Sequence, residues 1–443
     1  MSDPIAPKPV KSRLWPLAII IVAVILRAAA LRFGTAHLSD DRDDYLVVAQ
    51  HYVDNGFWNA FKGIPNSFRP PLYPLVVAGL LKVGGGSAAL GLLQLVLGTA
   101  TVALTWQIGR RLGLGVFAVF AAALVALDPL LIEYTTFPMT ETLFTFLVSS
   151  LVAIATSNDL RGASPRASLL RAAALGAVFG ACALCRPTIW PVAGLMGFWI
   201  LWHSRKGGTR GLNRLSHAAI AAVALCAVVA PWMLRNWKIL GSTVLTTTHG
   251  GYTLLLGNND AYFHQVAARP LLDEWRDSAP DRFQQTWFQH LVAEMDREIG
   301  PGAGELAQDR WMYRRAWRDI SANPRLFLRA CVLRFAEFWN VLPLSPSRTG
   351  TSRAVVWGTC AGYTIELILF VVGLVTLAFR WDDRWALSLM LILNFTLVHL
   401  LYWSNMRMRA PLVPLIAVVA GRGIVELQTR AFAGRREAAP SRV

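Results

Sequence analysis

Ten apolar runs, separated by short clusters of arginine and lysine, constrain the fold of this chain more than any other feature of its sequence. A helix of about 20 apolar residues crosses a bilayer core. Runs near that length lie at 14–33, 88–109, 114–135, 141–157, 168–185, 188–202, 216–235, 355–379, 385–403 and 410–428. The chain is 54% hydrophobic, 16% charged and has a mean hydropathy of +0.42, which excludes an ordinary soluble domain. The pattern predicts an all-α polytopic membrane protein with about 10 transmembrane helices.

The positions of the basic residues predict which loops face the cytoplasm. The net charge of +16 is gathered between the apolar runs, as the positive-inside rule describes, so nucleic acid is not predicted as a partner. With ten spans, both termini and every basic cluster lie in the cytoplasm. These clusters are Arg110-Arg111, Arg161/Arg166/Arg171, Arg205/Lys206/Arg210/Arg214, Arg380/Arg384 and Arg430/Arg435/Arg436.

Three apolar segments need a separate interpretation. If residues 71–83 crossed the bilayer, Arg110-Arg111 would face outward, so we interpret this segment as an interfacial or re-entrant helix. Residues 326–342 receive the same interpretation because their arginines recur on one side of a helix. The first run ends in a sequence typical of a signal-peptidase site, but we interpret it as a retained helix. Either alternative leaves Asp40 outside the cytoplasm.

The same count predicts the outer segments and a division into three parts. The outer segments are 34–70, 134–141, 186–187, 236–325 and 404–409. Helical periodicity in 281–323 predicts a small ordered loop subdomain in the longest of them. The predicted parts are a transmembrane module at 1–235, which includes the first outer loop, the outer subdomain at 236–342, and C-terminal transmembrane helices with a short cytoplasmic tail at 343–443.

Arginines at the outer ends of the apolar segments run against the charge bias that sets this topology. They are Arg69, Arg186, Arg235, Arg407 and Arg409. Each one alone is explained by snorkelling to lipid headgroups. Because five come from separate helix ends, and because guanidinium groups bind phosphate through two parallel hydrogen bonds, we interpret them as a site for an anionic phosphate at the outer leaflet.

Carboxylates are expected on the same side. Asp41 lies one helical turn before Tyr45, and Glu141 begins an apolar helix, where a carboxylate also suits the helix dipole. The alternative is that 40–44 is a solvated loop and that Glu141 is a helix cap. Acids next to phosphate-binding arginines indicate a general base, which we assign to Asp41 with Asp40 as the alternative. Lesser candidates are Asp43, Asp44, Asp128 and Glu133.

Other site chemistries find little support in the sequence. The outer histidines lack metal-ligand spacing, so no metal site is predicted and a divalent metal is only weakly supported; they are His37, His51, His249 and His264. A phosphate-binding loop, a dinucleotide fingerprint and a hydrolase nucleophile motif are all absent from the sequence, which argues against ATP-driven transport, nicotinamide chemistry and hydrolysis.

At these residues the chain resembles the bacterial GT-C glycosyltransferases of the protein O-mannosyltransferase and lipid A aminoarabinose transferase superfamily. The resembling motifs follow in order along nearly the whole chain. They are Asp41-x-x-x-Tyr45 with Ala49, Asn55-Gly56-Phe57, Phe68-Arg69-Pro70-Pro71-Leu72-Tyr73-Pro74, Thr140-Glu141-Thr142-Leu143-Phe144, Cys185-Arg186-Pro187-Thr188, Pro231-Trp232-Met233-Leu234-Arg235-Asn236-Trp237, Gly250-Gly251-Tyr252 with Gly257-Asn258-Asn259, and Arg407-Met408-Arg409-Ala410-Pro411.

The resemblance implies roles for single residues. Asp41 corresponds to the first-loop aspartate, the base for the acceptor hydroxyl. Arg69 stands where the family holds a cation at the donor phosphate, and Glu141 matches a second acid. The adjacent Asp40 leaves the choice of base open by one residue. Side chains in the other motifs are expected to position substrate: Tyr45, Tyr73, His249, Tyr252 and Asn258.

The sequence therefore predicts an inverting glycosyltransferase of the bacterial inner membrane with its active site on the periplasmic face. The expected donor is a sugar on an undecaprenyl-type monophosphate. The expected acceptor is a hydroxyl of a glycolipid, a cell-envelope glycan or a protein. Two alternatives stay open: a secondary transporter, against which the gathering of charge at one face argues, and a non-catalytic lipid-binding or flippase subunit, which would not need Asp41.

Overall fold

The computed structural model describes residues 14–58, 66–157, 165–206, 211–268, 280–342 and 352–437. Helices make up most of these residues, which contain no β-strand. In chain order they are α1 (Leu14–Phe33), α2 (Tyr45–Asn55), α3 (Leu72–Lys82), α4 (Gly86–Arg111), α5 (Phe117–Leu127), α6 (Pro129–Glu133), α7 (Thr140–Ala155), α8 (Pro165–Cys185), α9 (Val192–Lys206), α10 (Gly211–Leu240), α11 (Gly250–Gly257), α12 (Asp260–Tyr262), α13 (Pro280–Ile299), α14 (Glu305–Ala322), α15 (Pro324–Phe338), α16 (Arg353–Phe379), α17 (Ala386–Leu401) and α18 (Val413–Glu437).

The described helices confirm the predicted all-α polytopic membrane fold. Seven of them are long and apolar enough to cross a membrane, and they correspond to seven of the ten predicted spans. The other three predicted spans correspond to the shorter apolar helices α5, α7 and α9. The core of the bundle contains α18, whose first turns are buried on all sides through Gly421. The predicted boundary at 343 and the basic residues Arg161 and Arg210 lie outside the described residues.

The span predicted at 114–135 is interrupted after Leu127, and a buried arginine binds the backbone carbonyls that the interruption leaves free. Helix α5 ends at Leu127, and the Asp128 carboxylate accepts a hydrogen bond of 2.8 Å from the Leu131 N–H at the start of α6. Pro129 has no N–H for the carbonyl of Val125, four residues earlier. Arg27 of α1, fully buried, donates to that carbonyl at 3.3 Å and to the Ala126 carbonyl at 3.4 Å. This contact fixes the segment that leads to α7.

The described part of the segment after α10 contains a small group of packed helices. Helices α13 and α14 occupy the region where helical periodicity was found, and a turn with positive φ at Gly300 and Gly302 separates them. These helices pack with α11 around a small apolar core: Leu254, Leu255, Leu291, Met295, Trp311, Met312 and Ala316. Helices α3 and α15 lie where the two interfacial helices were predicted.

Candidate active site

Glu141, in the first turn of α7, accepts hydrogen bonds from two arginines that lie in distant parts of the chain. Its side chain is fully buried. Arg186, which follows α8, donates from Nη2 to Glu141 Oε1 at 2.6 Å and from Nε to the Thr140 hydroxyl at 2.8 Å. Arg407, in the turn before α18, donates from Nε to the same Oε1 atom. Three segments that are far apart in sequence therefore meet at one carboxylate.

Asp43 extends this cluster to Arg69. Arg407 Nη2 donates to Asp43 Oδ2 at 2.8 Å, and Arg69 Nη2 lies 3.4 Å from Asp43 Oδ1. Burial alone would raise the pKa of Asp43, but Arg407 and Arg69 outweigh burial and hold this pKa below its usual value. We call the group of Asp43, Arg69, Glu141, Arg186 and Arg407 the arginine cluster.

The turn that contains Asp43, directly before α2, includes a residue in the left-handed conformation. Asp44 has a φ of 59°. Among the described residues other than glycine, it is the one with a positive φ. Its N–H donates to the Asp41 carbonyl at 3.2 Å, so residues 41–44 form a tight turn. Asp40 lies outside the arginine cluster and pairs with Arg42 at 2.7 Å on the surface.

Asp41 is held by one oxygen and unpaired at the other. Its Oδ2 atom accepts the N–H groups of Leu46 at 2.9 Å and Val47 at 3.0 Å, in the first turn of α2. Its Oδ1 atom is buried and has no hydrogen-bond partner among the described residues. The carboxylate is therefore oriented by the backbone and still has an acceptor available.

Aromatic rings line the arginine cluster. The Arg69 guanidinium lies 5.6 Å from the Tyr45 ring centre and 5.3 Å from that of Phe68. Tyr73 packs edge-on against Tyr45 with ring centres 5.2 Å apart. These contacts hold the planar guanidinium group without using all of its donors.

His249, directly before α11, and Tyr252 of α11 lie next to Phe68. The ring centres of His249 and Phe68 are 4.3 Å apart, and those of His249 and Tyr252 are 5.2 Å apart. Burial, with a further contribution from Arg69, lowers the pKa of His249 to about 3. The imidazole is therefore neutral at physiological pH.

Three residues predicted to bind substrate are not brought into the cluster. Arg235 donates to the Asn66 carbonyl at 2.6 Å and to the Ser67 hydroxyl at 2.8 Å. Arg409 donates to the Asn340 carbonyl at 2.9 Å. Asn258 is fully buried and donates to the carbonyls of Leu254 and Leu401 at 2.8 and 2.7 Å. Each of these side chains satisfies backbone carbonyls, which links the chain segments that surround the cluster.

Four buried polar atoms at the cluster have no partner among the described residues. They are Asp41 Oδ1, Arg69 Nε, Tyr73 Oη and Glu141 Oε2. The Tyr73 hydroxyl is within electrostatic reach of both Glu141 and Asp41. Because folded proteins leave few buried polar atoms unpaired, this concentration indicates a place for a polar ligand. Within the described ranges, no group of three or more His, Cys, Asp or Glu side chains is arranged to hold a metal ion.

Comparisons with known proteins give the fold. Residues 68–234 match the model of the dolichyl-phosphate-mannose-protein mannosyltransferase family. The oligosaccharyltransferase AglB of Archaeoglobus fulgidus, solved with an inhibitory peptide and a dolichol-phosphate, matches with TM-score 0.53 and 13% identity. The match covers 97% of this chain and 52% of AglB, so the chain spans about half the length of that protein.

Two further solved structures are similar. An Archaeoglobus fulgidus oligosaccharyltransferase in the apo form matches with TM-score 0.53 and 12% identity over 98% of this chain and 53% of that one. ArnT of Cupriavidus metallidurans, bound to undecaprenyl phosphate, gives a TM-score of 0.41 and 13% identity over 97% of this chain and 81% of ArnT. No curated protein matches the chain in sequence.

Proposed function

We propose that this chain, a membrane protein with the GT-C fold that is related to the GT-C glycosyltransferases, transfers a sugar from a polyprenyl monophosphate to a hydroxyl group. One observation carries the proposal. The five residues of the arginine cluster join three cations to two carboxylates and so carry one net positive charge in a largely buried place. Two of their own polar atoms, together with Asp41 Oδ1 and Tyr73 Oη, have no partner among the described residues. An anionic, hydrogen-bonding group is the ligand that such a place accepts at least cost.

The donor phosphate binds to arginines that are paired with carboxylates in this structure. Arg69 and Arg407 meet Asp43, and Arg407 and Arg186 meet Glu141. A phosphate oxygen offers these guanidinium groups the same kind of acceptor as a carboxylate, so the arginines exchange partners without losing hydrogen bonds. The dolichol-phosphate in the AglB structure supports a lipid phosphate as the donor group.

Asp41 is the base of the proposed reaction. The N–H groups of Leu46 and Val47 hold Oδ2, which leaves Oδ1 to accept the proton of the acceptor hydroxyl. The acceptor oxygen forms a bond to the anomeric carbon as the bond from that carbon to the phosphate oxygen breaks. The electron pair leaves with the phosphate, and the arginines stabilise the charge that develops there. One displacement inverts the anomeric carbon and needs no covalent intermediate.

Glu141 positions the cations. It binds Arg186 and Arg407 through one oxygen, and both arginines therefore keep their direction when the donor is absent. We place the reaction on the outer face of a bacterial inner membrane, with a glycolipid, a cell-envelope glycan or a protein as the acceptor. The charge bias of the loops supports this orientation.

The test is sugar release from a polyprenyl-phosphate-sugar donor by the purified protein in detergent. Arg69→Ala should reduce the use of donor about ten- to a hundred-fold, the effect of losing hydrogen bonds to a charged group. Arg69→Lys should recover part of this, because the charge remains while the planar fork is lost. The control is Arg314→Ala, which removes an exposed arginine of α14.

Two results would refute the proposal. Equal donor use by Arg69→Ala, Arg407→Ala and the wild type would mean that these arginines serve only as structural partners of Asp43 and Glu141. Binding of the polyprenyl-phosphate donor without any transfer, by a folded wild-type protein given each acceptor class, would favour a lipid-binding subunit instead.

A further inference from the structure

We infer that α14 is a brace that positions Arg69 and His249 for the donor, through Glu305 and Asp309. The inference rests on the proposed function for the meaning of the donor site, whereas the brace itself is a set of contacts. The two acids are four residues apart and therefore lie on one face of α14, which is directed toward the two segments that carry Arg69 and His249.

Glu305 holds both segments at once. Its Oε2 atom accepts the Ser67 N–H at 2.8 Å, and its Oε1 atom accepts the Thr248 hydroxyl at 2.6 Å. Ser67 precedes Arg69 by two residues and Thr248 directly precedes His249. The Thr248 N–H also donates to the Ser67 carbonyl at 3.2 Å, so the two segments are joined to each other as well as to α14.

Asp309 holds the next residues of the second segment. Its Oδ1 atom accepts the Gly251 N–H at 2.7 Å, at the start of α11. A Cβ atom at Gly251 would lie 2.3 Å from the Asp309 carbonyl oxygen, and one at Gly250 would lie 2.0 Å from the Tyr313 hydroxyl. The two glycines therefore permit the close approach of α11 to α14.

Arg69 makes few polar side-chain contacts of its own, so its placement also depends on the backbone that carries it. Its ion pair with Asp43 is 3.4 Å long, and its Nε atom has no partner in the described part of the chain. Besides the Tyr45 and Phe68 rings, the backbone of 67–69 sets the direction of the guanidinium group, and Phe68 itself packs against His249 at 4.3 Å. Ser67 and Thr248 are almost fully buried. The Glu305 carboxylate bonds to both, beside the contacts that Arg235 and Asn236 make with the Ser67 hydroxyl.

Burying the Glu305 carboxylate is unfavourable, which indicates that its hydrogen bonds to Ser67 and Thr248 have a structural role. Burial raises the pKa of Glu305 above its ordinary value, against the opposing effect of the hydrogen bonds from Thr248 and Ser67. A carboxylate that loses water in this way is retained where its hydrogen bonds serve a purpose. Glu305 and Asp309 are positioning residues, because they act on the donor only through Arg69 and His249.

The experiment compares Glu305→Ala and Glu305→Gln in the full-length protein. Two readouts are used: amide hydrogen exchange at 66–69 and 248–251, and the KM and kcat for a polyprenyl-phosphate-sugar donor. Glu305→Ala should speed exchange at both segments and raise the donor KM about ten-fold with little change in kcat. Glu305→Gln should resemble the wild type, because its carbonyl accepts from Ser67 while its amide donates to Thr248. The matched control on the same helix is Arg314→Ala, an exposed position.

Should Glu305→Ala fail to fold, Thr248→Val removes one of the two bonds at nearly constant volume and should show the same changes to a smaller degree. Unchanged hydrogen exchange in Glu305→Ala and in Thr248→Val would overturn the brace. A Glu305→Gln protein as impaired as Glu305→Ala would also overturn it, because the effect would then come from the charge of Glu305. Faster exchange in Glu305→Ala, in a protein whose wild type does not use any donor, would support the brace and defeat only the proposed function.

Discussion

Replacing Glu141 by glutamine should separate the stability of the arginine cluster from its affinity for phosphate. The carboxylate is fully buried and accepts from Arg186 and Arg407. An amide keeps one acceptor oxygen but removes the negative charge, so the cluster changes from one to two net positive charges. Disrupting a buried ion pair by removing one partner costs about 3–5 kcal/mol, and the remaining acceptor reduces this to about 3 kcal/mol.

The same change should strengthen the binding of a phosphate lipid. A unit charge about 5 Å from a phosphate charge contributes about 3 kcal/mol at an effective dielectric constant of about 20, and the neighbouring arginines screen part of it. We expect Glu141→Gln to bind undecaprenyl phosphate about ten-fold more tightly than the wild type. Its turnover should nevertheless fall, because a neutral amide orients Arg186 and Arg407 less firmly than the carboxylate does.

The assay is thermal unfolding in detergent, with and without undecaprenyl phosphate, together with a binding titration. Glu141→Gln should unfold at a lower temperature than the wild type when no lipid is added, and the lipid should raise its unfolding temperature by more than it raises that of the wild type. Glu366→Gln, a buried carboxyl of α16 outside the arginine cluster, is the control and should not alter the affinity for the lipid. Weaker lipid binding by Glu141→Gln would refute the idea that phosphate and Glu141 compete for the same arginines.

Three further outcomes are expected. Asp41→Asn should lower turnover about 10²- to 10⁴-fold at saturating donor, whereas Asp40→Asn should do much less; the reverse order would move the base by one residue. The pKa of His249 is lowered to about 3, so the unfolded chain binds more protons than the folded one between about pH 6.5 and 3. Stability should therefore decrease as the pH falls through that window, and His249→Gln should reduce this dependence in acid-unfolding curves. Gly98→Ala should destabilise the protein by about 1–3 kcal/mol in thermal unfolding, because its Cβ would lie 2.6 Å from Arg27 Nε; an unchanged midpoint would contradict that packing.

Much of the fold follows from the sequence because it depends on quantities that are local. The length of an apolar run and the basic residues beside it predict a span, and seven long helices and three shorter ones occur at the predicted places. The break at Pro129 could be read from the proline itself. The function of Arg27 could not, because its partners are carbonyls about 100 residues away.

The site is less predictable for a similar reason. Arg186, Arg407 and Glu141 each lie at the predicted outer end of an apolar run, so counting the spans was enough to expect them together. Asp43 was only a lesser candidate among four aspartates in five residues. Which of these aspartates faces the arginines depends on the turn at 41–44 and on the left-handed conformation of Asp44, and neither has a signal in the sequence.

Five arginines were predicted at the outer ends of apolar runs, and the sequence around them does not tell which ones have carboxylates as partners. All five had the same sequence argument, yet their partners differ in kind. Arg69, Arg186 and Arg407 meet carboxylates, whose place a phosphate can take. Arg235 and Arg409 meet backbone carbonyls. A carbonyl that loses its buried donor is left unpaired, at a cost of about 1–3 kcal/mol, whereas a carboxylate released by an incoming phosphate can accept from the substrate or take up a proton. Removing Arg235 or Arg409 should therefore affect folding before it affects the donor, and only the arginines paired with carboxylates are free to exchange partners.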